Sequence, residues 1–154
     1  MGSSTVPAAS AAGKTRFALT LTSGTSWTVP TGVTYVNVQL QGGGAGAYSS
    51  TSTNSSQNAS AGQMISSTLT TTPGASITYA IGAGGTAGNG GTAAGAGGTT
   101  TFTGATSALG GNNATAGQAG TSAAGFPNGG RQNSNTMASG NPGGAGKIEV
   151  EYWL

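Results

Sequence analysis

Six side chains carry charge in this sequence: Lys14, Arg16, Arg131, Lys147, Glu149 and Glu151. Histidine, cysteine and aspartate are absent. Serine hydrolases, thiol hydrolases and zinc sites of the usual kinds draw on at least one of those three. Calcium and magnesium cages are expected to fail for the same lack of carboxylates. What remains for acid–base work is Glu149 and Glu151, and glycan cleavage by paired carboxylates needs the two acids to flank one bond. Two glutamates two apart on a strand face are more commonly solvated polar residues. The expectation is a non-enzymatic protein with no cofactor and no metal.

Two motif matches fail on context. Gly42-x-Gly44-x-x-Ala47 after a strand mimics a dinucleotide-binding turn, which must open a helix and meet an acid about 20 residues later. Here a polar coil follows, and no acid precedes Glu149. Gly13-Lys14-Thr15 mimics the end of a phosphate loop, but that motif's first glycine would fall on Ala8. Surface recognition is left. Tyr48 and Phe126 stand beside polar loops, and Asn54, Asn128, Arg131, Gln132 and Asn133 can hydrogen-bond a sugar or a peptide. The alternative is that all seven are ordinary loop residues.

The elements that must hold such loops read as strands joined to something that is neither strand nor helix. Phe17, Leu19 and Leu21 alternate within Thr15–Thr22, which predicts a half-buried strand. Val36, Val38 and Leu40 alternate within Thr34–Gln41 and form a core face; Gly42 to Gly46 ends that strand. Extended segments follow at Gln63–Thr71, Ser76–Ile81 and Thr99–Thr103, and Lys147–Leu154 sets Ile148, Val150 and Tyr152 opposite Glu149, Glu151 and Trp153. Polar loops are expected from Tyr48 to Gly62 and from Phe126 to Gly140.

Between these strands glycine recurs every third residue: Gly82, Gly85, Gly88 and Gly91, then Gly97 after a skip at Ala94. The beat returns at Gly117 and Gly120, and at Gly140, Gly143 and Gly146. A period of three matches polyproline II, which has three residues per turn, and neither the helix nor the strand. An edge made of glycine lets two such rods approach until backbone meets backbone. The expected fold is all-β, with β-strands flanking a sandwich of glycine-edged polyproline II rods and no α-helix.

Composition sets the remaining bounds. The chain has 154 residues, 31 of them glycine, and five prolines, too few for a collagen helix. Holding each glycine in one conformation costs about 0.5–1 kcal/mol relative to alanine, on the order of 15–30 kcal/mol in all. A disordered linker would have no reason to keep well-made strands, so a folded chain is expected: an arm over Met1–Lys14 and one domain over Thr15–Leu154. The net charge of +2 is too small and scattered for a nucleic-acid footprint. No apolar run approaches the roughly 20 residues of a membrane span, and Met1–Lys14 lacks the apolar middle of a secretory signal.

Four blocks in order carry a resemblance: SGTSWTVPTGVTYVNVQLQGGGAG (Ser23–Gly46), TLTTTPGASITYAIGAGG (Thr68–Gly85), GGTTTFTG (Gly97–Gly104) and GGAGKIEVEYW (Gly143–Trp153). They resemble the glycine-rich domain of bacteriophage tail fibres, adhesins and minor tail proteins. The resemblance implies a polyproline II sandwich flanked by strands. It further implies a place on the virion exterior and variable loops, here Ala47–Ala61 and Phe126–Ser139, that meet a host-surface glycan or protein. The arm would dock on other virion proteins. Trimers suit fibres and spikes, so a homotrimer is the oligomer this resemblance implies. The chain departs from the pattern in two ways: it offers no attachment domain beyond the arm, and its loops are rich in Ser, Thr, Ala and Asn. Both departures favour the alternative of a structural decoration or spike subunit of capsid or tail.

Overall fold

A computed structural model describes residues 13–49, 59–89, 92–112 and 141–154. Within them the chain is all-β, without a helix. Its nine strands are β1 (Arg16–Leu21), β2 (Ser26–Thr28), β3 (Tyr35–Gln41), β4 (Tyr48–Ser49), β5 (Met64–Thr70), β6 (Ser76–Ala80), β7 (Gly88–Asn89), β8 (Thr101–Phe102) and β9 (Lys147–Trp153). β1, β9, β3 and β5 form one antiparallel sheet in that order, and β2, β6 and β8 form a second.

The two sheets enclose a core of large side chains. Val36, Val38 and Leu40 of β3 and Ile148 and Val150 of β9 are fully buried, and they pack with Tyr79 and Phe102 of the second sheet. Alternation with period two produces this face, since successive side chains in a strand point to opposite sides. The second sheet has three strands against four, and the edge strand β1 pays for the mismatch in exposure. Phe17 and Leu19, expected to be half-buried, are exposed at 40% and 36%. Phe17 gains only a ring stack on Tyr152, with centroids 5.4 Å apart.

Beyond the sheets the same chain continues as rods, at residues 42–47, 59–63, 82–88, 94–99, 109–112 and 141–146. The 42–47 rod occupies the centre. Every residue from Gln41 to Ala47 is buried. Its six N–H groups donate in strict rotation to three neighbours. Gly42 and Ala45 bind the carbonyls of Gln63 and Ser60; Gly43 and Gly46 bind those of Gly98 and Gly95; Gly44 and Ala47 bind those of Gly144 and Asn141. Successive donors therefore point to a different neighbour each time and return after three residues. That is the signature of a polyproline II rod, which makes no internal hydrogen bonds and must satisfy its backbone outside itself. Its carbonyls in turn accept from the 82–88 rod, Gly85 N–H to Gly44 and Gly88 N–H to Ala47, and from Gly111 N–H to Gly43.

Glycine-edged contact is what permits this spacing. A Cβ on Gly43 would overlap the carbonyl of Ala83, one on Gly85 that of Gly95, and one on Gly97 that of Gly43. The enclosed 42–47 rod corrects the expectation that Gly42–Gly46 merely ends a strand. The polar loop expected through Gly62 also closes sooner: Ser60, Ala61 and Gly62 are buried in a packed rod, and so is Ala47, the first residue of the expected variable loop Ala47–Ala61.

Candidate functional site

The direction of each rod follows from its hydrogen bonds. The 42–47 rod leaves β3 and runs away from the sheets; the 59–63, 94–99 and 141–146 rods pair with it antiparallel and run back, each toward a strand. The 82–88 rod leaves β6 and runs outward, parallel to the central one. So does the 109–112 rod: Leu109 binds Gln63 through its carbonyl, and Gly111 stands beside Ser60 two steps further on. The chain thus goes out and back three times. The described segments end outward at Ser49, Asn89 and Asn112 and resume inward at Ala59, Thr92 and Asn141, all at the end far from the sheets.

Tyr48 lies at that end. It is half-buried, pairs in parallel with Gly88 at the first position of β4 and β7, and follows Ala47, whose N–H binds Asn141. Of the remaining candidate contact residues, Asn54 falls in the interval 50–58, and Phe126, Asn128, Arg131, Gln132 and Asn133 fall in 113–140. All six are outside the described residues. Both intervals start and finish at the same end of the rods as Tyr48, with Asn141 bound by the neighbouring Ala47 N–H.

The glycines singled out by spacing divide the same way. Gly82, Gly85 and Gly88 are buried along one edge of the 82–88 rod. A Cβ on Gly82 would overlap the carbonyl of Gly98, one on Gly143 that of Gly44, and one on Gly146 that of Gln41. A Cβ on Gly88 would lie 2.6 Å from the Ala94 nitrogen. Gly91, Gly117, Gly120 and Gly140 lie outside the described residues.

Among the described residues, charge lies on the side of the sheets: Lys14, Arg16, Lys147, Glu149 and Glu151 all belong to the sheets or their flank. Glu151 pairs with Arg16 across β1 and β9, and Glu149 pairs with Lys147 at 2.6 Å. The two glutamates face the same side of β9, each held by a cation. No group of three His, Cys, Asp or Glu comes together among the described residues. Gly13–Thr15 also lies at the sheet end, where the backbones of Thr15 and Leu154 exchange two hydrogen bonds.

One residue that spacing alone did not single out holds the two halves together. Thr100 is fully buried; its hydroxyl donates to the Gln41 carbonyl at 2.6 Å and accepts from the Gly82 N–H at 3.0 Å. Its position three after Gly97, on the same beat as the glycines, was the available signal.

A strand sandwich extended by a bundle of bare-backbone rods, whose described outer ends all lie on one side, defines a glycine-rich β/polyproline II module. A model of the glycine-rich domain family matches residues 20–151. The chain belongs to that family. No curated protein matches it.

Proposed function

We propose that the protein is a non-enzymatic surface component of a bacteriophage particle, the tip module of a tail fibre or similar appendage, recognising a host-surface glycan or protein. The observation that carries this reading is polarity. Three chain connections, two of them long and polar, start and finish at the rod end around Tyr48, while Gly13–Thr15 lies at the sheet end. A module of this shape is held at one pole and makes contact at the other. The rods suit the task because hydrogen bonds between backbones fix both ends of each connection, and recognition residues gather on loops positioned by a rigid scaffold. The resemblance of the four sequence blocks to phage fibre and adhesin domains supports the same assignment, and on this reading Met1–Lys14 docks on other virion proteins.

The second reading, a structural decoration or spike subunit, is favoured by the Ser, Thr, Ala and Asn content of 50–58 and 113–140. One experiment separates the two. Particles carrying Tyr48→Ala, Phe126→Ala and Arg131→Ala together keep their full complement of the protein and lose adsorption to the host. Adsorption at the parental rate would remove the tip reading and leave the decoration reading.

A further inference from the structure

The outer face of the four-stranded sheet carries a second arrangement, far from the rod ends. Alternation places Tyr35, Asn37 and Gln39 of β3 on one side, next to Glu149, Glu151 and Trp153 of β9. The register sets Gln39 between Ser66 and Glu149, and Asn37 between Thr68 and Glu151. These two polar rows line an open depression of about 340 Å³, within the range of small-molecule sites, about 300–1,000 Å³. Next along the face stands an aromatic pair. Tyr35 is 47% exposed, and its ring lies 6.2 Å from that of Trp153, with the planes inclined at 30°.

We propose that this face binds a neutral saccharide. A sugar ring offers an apolar C–H face and a rim of hydroxyls, and the sheet offers a partner for each. The Tyr35–Trp153 pair presents aromatic surface to the first, an amphipathic role these side chains fill well. Carboxamides, hydroxyls and carboxylates in two rows meet the second. Their capacity is not used up by the contacts they make with each other. Asn37 accepts from Thr68 at 2.8 Å through Oδ1, and its amide carries two donors besides. Each glutamate holds its cation through Oε1, and a carboxylate has lone pairs for further donors.

Charge selects against the other ligand classes. Arg16 balances Glu151 and Lys147 balances Glu149. A polyanion or polycation therefore gains nothing from the local field, whereas a neutral polyhydroxylated ligand needs none. The site is independent of the reading of the rod ends, and the experiment keeps the two apart.

The full chain is titrated by calorimetry with tetrasaccharides of β-1,4-glucose, β-1,4-N-acetylglucosamine and α-1,4-glucose, and with a heparin oligosaccharide as the charged arm. At least one neutral tetrasaccharide binds. Trp153→Ala and Gln39→Ala each weaken it about ten-fold, the scale of one lost contact. Ser76→Ala, at an exposed position of β6 in the other sheet, leaves the affinity unchanged. Both face variants lie outside the core, and thermal melts check that they fold. Failure of every neutral tetrasaccharide to bind, binding of heparin alone, or unchanged affinity in both face variants overturns the proposal.

Discussion

The strand half and the rod half of this molecule are built from one continuous chain and cohere by different means. Between the sheets, stability comes from removing large side chains from water, as at Phe102, Leu40 and Ile148, all 2% exposed or less. Between the rods there is almost no side chain to bury. Cohesion there comes from paired backbone groups and close backbone contact, and a buried N–H left unpaired would be costly. Glycine changes meaning across the boundary. Among the described residues, the four glycines at positive φ are Gly24, Gly32, Gly74 and Gly104, all in turns of the strand half. The rod glycines have ordinary φ and are needed for closeness instead.

The contrast makes its largest prediction at Gly46. A Cβ there would overlap the Thr86 carbonyl and approach Ala87, with only backbone to absorb the shift. Overpacking a core of flexible side chains costs about 1–3 kcal/mol, because the neighbours can rotate away. Here they cannot, so Gly46→Ala should cost about 4 kcal/mol or more, a large share of a domain stability of about 5–15 kcal/mol. Circular dichroism and amide exchange should find the variant largely unfolded. A loss within about 1 kcal/mol would show that the rods separate easily and would break the comparison.

Phe102→Ala tests the other half. Phe102 touches both Trp27 and Tyr79, with ring centroids 6.3 and 6.4 Å away. Truncation leaves a cavity worth about 3–5 kcal/mol in denaturant unfolding. Phe102→Leu should recover part of the loss, since side-chain packing is graded by volume. No substitution at Gly46 has that option.

Thr100→Val sharpens the boundary itself. The pleated chain and the three-fold rod present their backbone groups at different intervals, and the Thr100 hydroxyl bridges Gln41 O and Gly82 N where the two patterns meet. Valine keeps the shape and removes both bonds. The expected loss is about 2–4 kcal/mol for two buried groups left without partners, with Thr100→Ser restoring most of it. An unchanged midpoint would mean that the junction is held by the rods alone.

These differences also explain what was legible in the sequence. β3, β6 and β9 were plain because a half-buried strand must alternate, and the 82–88 rod was plain because a rod with one inward edge repeats every three residues. The central rod was hidden for the opposite reason. Surrounded by neighbours, Gly42–Ala47 has no outward edge, so all six residues are Gly or Ala and no period survives. The 59–63 rod is too short for a period and carries Ser60 and Gln63, which read as loop. Alternation at Phe17 and Leu19 named the inward face without saying whether a second sheet would cover it. The gathering of Tyr48 with the ends of 50–58 and 113–140 depends on rods running out and back, which no single stretch records.

The smallest effect separates the two uses of glycine most directly. Gly74 sits at φ 78° after Pro73, in the turn before β6, and a Cβ there would meet nothing within 4 Å. Space is free and conformation is the whole constraint. An L-residue held in the left-handed region costs roughly 1–2 kcal/mol, so Gly74→Ala should lower stability by that amount and leave the protein folded. D-alanine at the same position, introduced by chemical ligation, suits the positive φ and should restore the lost stability. At Gly46 a D-alanine has no such licence, because the φ is ordinary. If Gly74→Ala proved as damaging as Gly46→Ala, glycine would be serving conformation throughout, and the distinction between the halves would fall.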